Sequence, residues 1–161
     1  IGGQHDVTWS SDAADYDPLE AFVRKHKNVK YLGPGGTIKL TVGKISYLIL
    51  AYHKYRMNSY LNPEHSVRQM IRNLKNDVDI AVVADRHVSA CAPYWEAERH
   101  YWVLRPSSYK TYDTFSRRHG FQSQPTVMPA VILHPETKRI EGYETFEEAV
   151  EAYQAKYIIH G

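Results

Sequence analysis

The stretch IAVVADRHVSACAPYW, residues 80–95, decides how the chain is read. It opens as a short buried strand and runs straight into Asp85, Arg86 and His87, and loops at strand ends are where sheet proteins place ligands and catalytic groups. Upstream, residues 45–51 (ISYLILA) are almost continuously apolar, as expected of a strand covered on both faces, and that run ends at His53. Between the two, Asn62-Pro63 starts a helix whose Val67, Met70, Ile71 and Leu74 follow the i, i+3, i+4, i+7 rule, so the helix packs on a sheet. Strand, helix, strand with a connection of this length predicts a right-handed parallel crossover. Both strands then deliver their imidazoles, His53 and His87, to one edge of the sheet.

Working outward, TIKLTV precedes ISYLILA, the two joined at Val42-Gly43-Lys44, a tight hairpin. Asp17-Pro18 opens a short helix through Leu19, Ala21, Phe22 and Val23, with Asp at the cap and Pro in the first turn. HYWVLRP (residues 100–106) and TVMPAVILH (residues 126–134) read as further strands, and residues 135–137 as a turn. Thr145 and Glu148 form a capping box for a last helix bearing Phe146, Ala149, Val150 and Tyr153. Neither repeat nor linker divides residues 1–161, so the expectation is one α/β domain, a layered mixed β-sheet with flanking helices.

A chain of 161 residues buries roughly two thirds of the surface its unfolded form exposes, enough for a proper core. Lys and Arg number 20 against 18 Asp and Glu, a net charge of +2, so the totals carry no electrostatic signature of nucleic-acid or anionic-membrane binding. The single cysteine, Cys91, rules out an internal disulfide framework and suits a reducing compartment. No apolar run approaches the ~20 residues of a membrane helix, and the chain reads as soluble, cytoplasmic or particle-associated, with no membrane partner. It opens on Ile1 rather than Met, and IGGQHD has neither the charged nor the apolar region of a signal peptide, so a further segment is expected upstream.

The order of the polar candidates is itself a pattern. Gly3-Gln4-His5-Asp6 is followed by a strand ending at His53, a helix, a strand ending in Ala84-Asp85-Arg86-His87, and then RPSSYKTYDTFSRRHGF before MPAVILHPETKRI. This resembles the second half of a calcineurin-like metallophosphoesterase, whose blocks in chain order are D-x-H, G-D, G-N-H-[ED], a lone His after a strand, and G-H-x-H after another. The resemblance covers nearly the whole chain but only the last three blocks; the first two would lie before Ile1. It implies part of a metallophosphoesterase sandwich. By position it puts Gln4 at the asparagine ligand, His5 at the histidine that helps protonate the leaving group, His53 at the lone ligand histidine and His87 at the second histidine of G-H-x-H. Asp85 replaces the first histidine of that motif, Ala84 its glycine, and Ser107 the glycine of a downstream turn.

Two divalent ions about 3.5–4 Å apart need a bridging carboxylate to activate a phosphoryl group and its nucleophile, and the D-x-H and G-D segments supply it. Gln4, His53, Asp85 and His87 would hold one divalent ion (Mn, Fe or Zn) if the site is functional, and none otherwise. Other readings stand beside these. His53 and His87 also suit polar ends of strands, Asp85 a surface ion pair with Arg86, and His5 an idle terminal residue. Lys110 with SRRHG (residues 116–120) reads either as a phosphate contact or as a solvated face. Tyr94, Trp95, Tyr101 and Trp102 belong to core or interface rather than to base stacking, and Cys91 is buried and inert.

The expectation is a phosphoesterase-derived domain, catalytically degraded, with a structural or assembly role. Its alternative is half of a metal-dependent phosphodiesterase or nuclease, acting on a phosphoester or nucleic acid once a missing segment or partner chain completes it. Either reading leaves a sheet edge to be covered, by a homo-oligomer or by a partner chain.

Overall fold

The computed structural model describes residues 16–56, 61–74, 77–85, 88–108 and 126–157. A short helix α1 (Pro18–Val23) comes first, its N-terminus satisfied by Asp17, whose Oδ1 accepts from the amides of Leu19 and Glu20 at 2.9 and 3.1 Å. Strands β1 (Gly35–Val42) and β2 (Ile45–Tyr52) then pair antiparallel. Their two-residue connection puts Gly43 at φ +58°, at the first central position, where a type II′ hairpin needs a residue free of a Cβ clash.

Helix α2 (His65–Leu74) follows, then β3 (Ile80–Val83), β4 (Ala90–Glu96) and β5 (Arg99–Arg105). The five strands form one mixed sheet in the order β1-β2-β3-β5-β4, with β2, β3 and β5 parallel and the two edges antiparallel. The crossover predicted from the alternation of apolar runs is therefore present, and the architecture is α/β. Val67, Met70 and Ile71 of α2 are buried against Leu50, Ala81, Val83, Tyr101 and Val103, which share one face of the sheet by register. Leu74, expected on the same stripe, is the last residue of the helix and stays exposed. The outer side of α2 is tied to the β4–β5 hairpin by Arg72 Nε to Glu96 at 2.7 Å, by Glu64 accepting from Tyr94 Oη at 2.7 Å, and by the Arg68 guanidinium 4.4 Å over the Tyr94 ring.

The opposite face is covered by a second, two-stranded sheet, β6 (Ala130–Leu133) with β7 (Ile140–Tyr143), followed by helix α3 (Phe146–Tyr157). Gly142 lies flat against the Trp102 ring, so close that a Cβ there would overlap it. Tyr47 Oη, wholly buried, donates within a cradle of three carbonyls on the hairpin tip: His134, Thr137 and Arg139, at 2.7, 3.0 and 3.1 Å. The capping box on α3 forms as expected: Glu148 N donates to Thr145 Oγ1 at 3.1 Å and Thr145 N to Glu148 Oε2 at 3.2 Å.

Three expectations are corrected. Residues 90–96 form a strand to which the sequence reading assigns no element; Pro93 masks it, and it is tolerated because β4 is an edge. Of residues 126–134 only Ala130–Leu133 are strand, and their partner is the unpredicted Ile140–Tyr143 rather than the main sheet. On α3 only Ala149 is buried, while Phe146 and Tyr153 are exposed, so its apolar stripe is largely unused within the described residues.

Candidate functional site

The carboxyl ends of β2 and β3 form the rim that the sequence singled out. The β1–β2 pairing carries on past β2, with His53 N donating to Pro34 O at 3.0 Å; the β2–β3 pairing does the same, with Ala84 N donating to Tyr52 O at 3.3 Å. These two bonds hold His53 and Asp85 at the ends of neighbouring parallel strands. Asp85 turns the chain at φ +74°, a conformation that aspartate reaches more readily than most residues with a Cβ.

His53 Nε2 stands 3.9 Å from Asp85 Oδ1, and Lys54 Nζ stands 3.8 Å from Asp85 Oδ2. The carboxylate is mostly covered, its side chain 20% exposed, while the lysine is 48% exposed. Two of the residues marked as metal ligands are thus brought together. Gln4, His5 and His87 lie outside the described residues, as do Arg86, Lys110 and residues 116–120. Among the described residues no three His, Cys, Asp or Glu side chains gather into a group able to hold a metal ion.

The pair by itself offers two donors of a kind metals take, with the Lys54 ammonium beside them, and does not make up a metal site among the described residues. Two ligands each about 2.1 Å from one metal are separated by roughly 3–4 Å, and an imidazole nitrogen with a carboxylate oxygen is a common ligand combination. His53 and Asp85 would supply two positions of such a site. Lys54 was not singled out from the sequence, although it adjoins His53; nothing in a Tyr-His-Lys-Tyr run says that its ammonium folds back onto a neighbouring strand end.

Arg105 also went unnoticed. It closes β5 at the same end of the sheet, is fully buried, and donates from Nη1 to Pro63 O at 2.8 Å, so it ties the strand end to the turn that enters α2. An arginine closing an otherwise apolar strand run was the available signal. Ser107, two residues farther, bonds Val127 in both directions, its Oγ accepting from Val127 N at 2.6 Å and its N donating to Val127 O at 3.1 Å.

Away from the rim, Cys91 is half-buried, and that burial pushes its thiol up to about 11, which leaves it protonated and unreactive near neutral pH. The aromatics divide. Tyr101 is core, Trp102 packs under β7, and Trp95 is exposed and lies against the His100 ring with centroids 4.2 Å apart. Among the described residues no helix is long and apolar enough to cross a membrane. No family model matches the chain, and no curated protein matches it.

Proposed function

We propose that this chain is a domain derived from the calcineurin-like phosphoesterases, catalytically degraded and serving a structural or assembly role. The observation that carries the reading is the cation beside Asp85. Lys54 Nζ is 3.8 Å from the carboxylate at the strand end where the resemblance puts a metal ligand. An ammonium there lowers the negative potential that draws a dication and repels the dication directly. The carboxylate that would bridge two ions belongs to family blocks ahead of the segment matched by these residues. For the assembly role, β1 is a sheet edge whose Ile38 and Leu40 are 40% and 41% exposed, a surface suited to a second copy or a partner chain.

The second reading, half of a metal-dependent phosphodiesterase or nuclease completed by another segment or chain, is favoured by one observation: the 3.9 Å between His53 Nε2 and Asp85 Oδ1 suits a shared ion. Mn, Fe or Zn bound there would supply Lewis-acid polarisation of a phosphoryl oxygen. The chain's own part would be to hold the ion on two neighbouring strand ends.

The test is to purify the protein as it occurs, determine its intact mass and associated chains, and assay bound Mn, Fe and Zn together with hydrolysis of a generic phosphodiester. The expected result is an assembled protein without turnover. Stoichiometric metal with turnover abolished by His53→Ala and by His87→Ala would reject the scaffold reading in favour of the enzyme.

A further inference from the structure

We infer that β1 pairs edge to edge with β1 of a second copy of this chain, antiparallel about a two-fold axis at Ile38, so that the two main sheets run on as one. The inference rests on the assembly reading and names its partner and its register.

The pairing with β2 settles which main-chain groups of β1 are spare. His53 N donates to Pro34 O, and the ladder continues in step from there through Gly36 with Ala51, Ile38 with Ile49, Leu40 with Tyr47 and Val42 with Ile45. Hydrogen-bonded pairs alternate in an antiparallel ladder, so these even-numbered residues bond to β2 while Thr37, Lys39 and Thr41 turn their N–H and C=O outward. Among the described residues no strand lies beyond them, and residues 37–41 are exposed on both faces. Neither a proline nor a bulge blunts this edge.

A two-fold pairing sets each residue opposite one on the same face, so the axis passes through a residue. An axis at Lys39 would put two lysines directly opposite, which is unfavourable. Axes at Leu40 or Thr37, or nearer either end, shorten the overlap. An axis at Ile38 keeps residues 35–41 paired. There Thr37 and Lys39 of the two copies exchange both outward bonds, Thr41 N donates to Gly35 O of the copy, Ile38 meets Ile38, and Leu40 lies over Gly36. That glycine leaves a notch beside Leu32, whose Cβ and Cδ1 are 3.5 Å from where a Gly36 Cβ would stand. One strand thus supplies both halves of the fit. The other edge strand, β4, does not, since Pro93 at its centre offers no donor.

The experiment takes the full chain with Cys91→Ala, adds one cysteine on β1, and follows disulfide dimers under mild oxidation beside sedimentation of the wild type, with circular dichroism confirming each fold. Ile38 and Leu40 are equally exposed, at 40% and 41%. Ile38→Cys faces its own copy at a non-hydrogen-bonded position, where Cα atoms about 4.5 Å apart allow a disulfide. Leu40→Cys stands roughly 14 Å from its copy in the same pairing. Ile38→Cys should therefore cross-link at least about tenfold faster than Leu40→Cys. Thr37→Pro removes an outward donor and leaves the bonds to β2 whole, so it should weaken the dimer at least about tenfold, a result that sedimentation reads without any cysteine variant. If the wild type sediments as a dimer but Leu40→Cys cross-links as fast or faster, the pairing at Ile38 is overturned and the assembly reading stands on another surface. A monomeric wild type that cross-links at neither position overturns self-pairing. The chains that accompany the protein as purified then decide the assembly reading by themselves.

Discussion

Glu141, on β7, is the most heavily engaged carboxylate among the described residues. Lys156 from α3 donates to Oε2, Arg139 Nη2 and the His134 ring lie 2.8 and 2.9 Å from Oε1, and Tyr143 Oη donates to Oε2 at 3.0 Å. The Lys156 hydrogen bond, with smaller help from Tyr143 and His134, holds the carboxyl at about 2 against an ordinary 4.5. The unfolded chain therefore takes up this proton first as the solution is acidified. The contribution of Glu141 to stability is complete above about pH 4.5 and is lost as pH falls toward about 2. Glu141→Gln should lower the melting temperature at pH 7 and remove part of the acid-limb slope, measured by thermal melts between pH 2 and 7. The neighbouring Gly142 works by shape instead: Gly142→Ala drives a methyl into the Trp102 ring, and overpacking of this kind costs about 1–3 kcal/mol, readable in urea denaturation.

At the scale of elements, Tyr47 is one of the ties between the β6–β7 hairpin and the main sheet, reaching from β2 to three carbonyls at the hairpin tip, beside the Lys44 N to Pro135 O bond at 3.0 Å. Lys138 adds an ion pair to Asp79 at 2.9 Å, and Asp79 Oδ2 in turn accepts from Leu48 N at 2.8 Å. Tyr47→Phe keeps the packing and strips the donor from the three carbonyls at the hairpin tip, a loss of about 0.5–1.5 kcal/mol. Amide exchange should quicken at residues 134–140 more than in α2, whereas uniform acceleration would mean that the tyrosine supports the whole fold rather than this docking. The elements themselves differ in how plainly the sequence announces them. Helix α2 and strands β2 and β3 were legible because their apolar residues follow one period and are bounded by Asn-Pro, Gly and charged residues. Strand β4 was not, because Pro93 interrupts it and its edge position, which makes the proline harmless, exists only after β5 has paired. Strand β7 was hidden for a related reason: Ile140-Glu-Gly-Tyr143 has a weak pattern of its own, and what fixes it is the fit of Gly142 to a tryptophan 40 positions earlier in sequence.

For the whole molecule, the parallel order of β2, β3 and β5 brings three strand ends to one rim; the β2–β3 pair followed from reading strand, helix and strand in succession, while the parallel place of β5 beside β3 did not. That His53 and Asp85 would meet was legible, since both close neighbouring parallel strands; that Lys54 would fold back onto Asp85 was not, since side-chain direction after a strand end depends on the loop that follows. The same topology leaves β1 as an outer strand with alternating character: Ile38 and Leu40 on one face, Thr37, Lys39 and Thr41 on the other. An eight-residue edge with two partly exposed aliphatics is a template for pairing, and a lone Lys39 on the opposite face is modest protection. Under the assembly reading the purified chain should sediment as an oligomer whose dissociation is concentration-dependent. Leu40→Lys places a charge on the apolar face of the edge, at a side chain 41% exposed and cross-strand from Tyr47, so monomer stability should fall by only about 1 kcal/mol while self-association weakens at least about tenfold. Sedimentation of the wild type as a monomer across the micromolar range, alone and unaltered by Leu40→Lys, would remove self-assembly through β1 and leave a different chain as the partner to be sought.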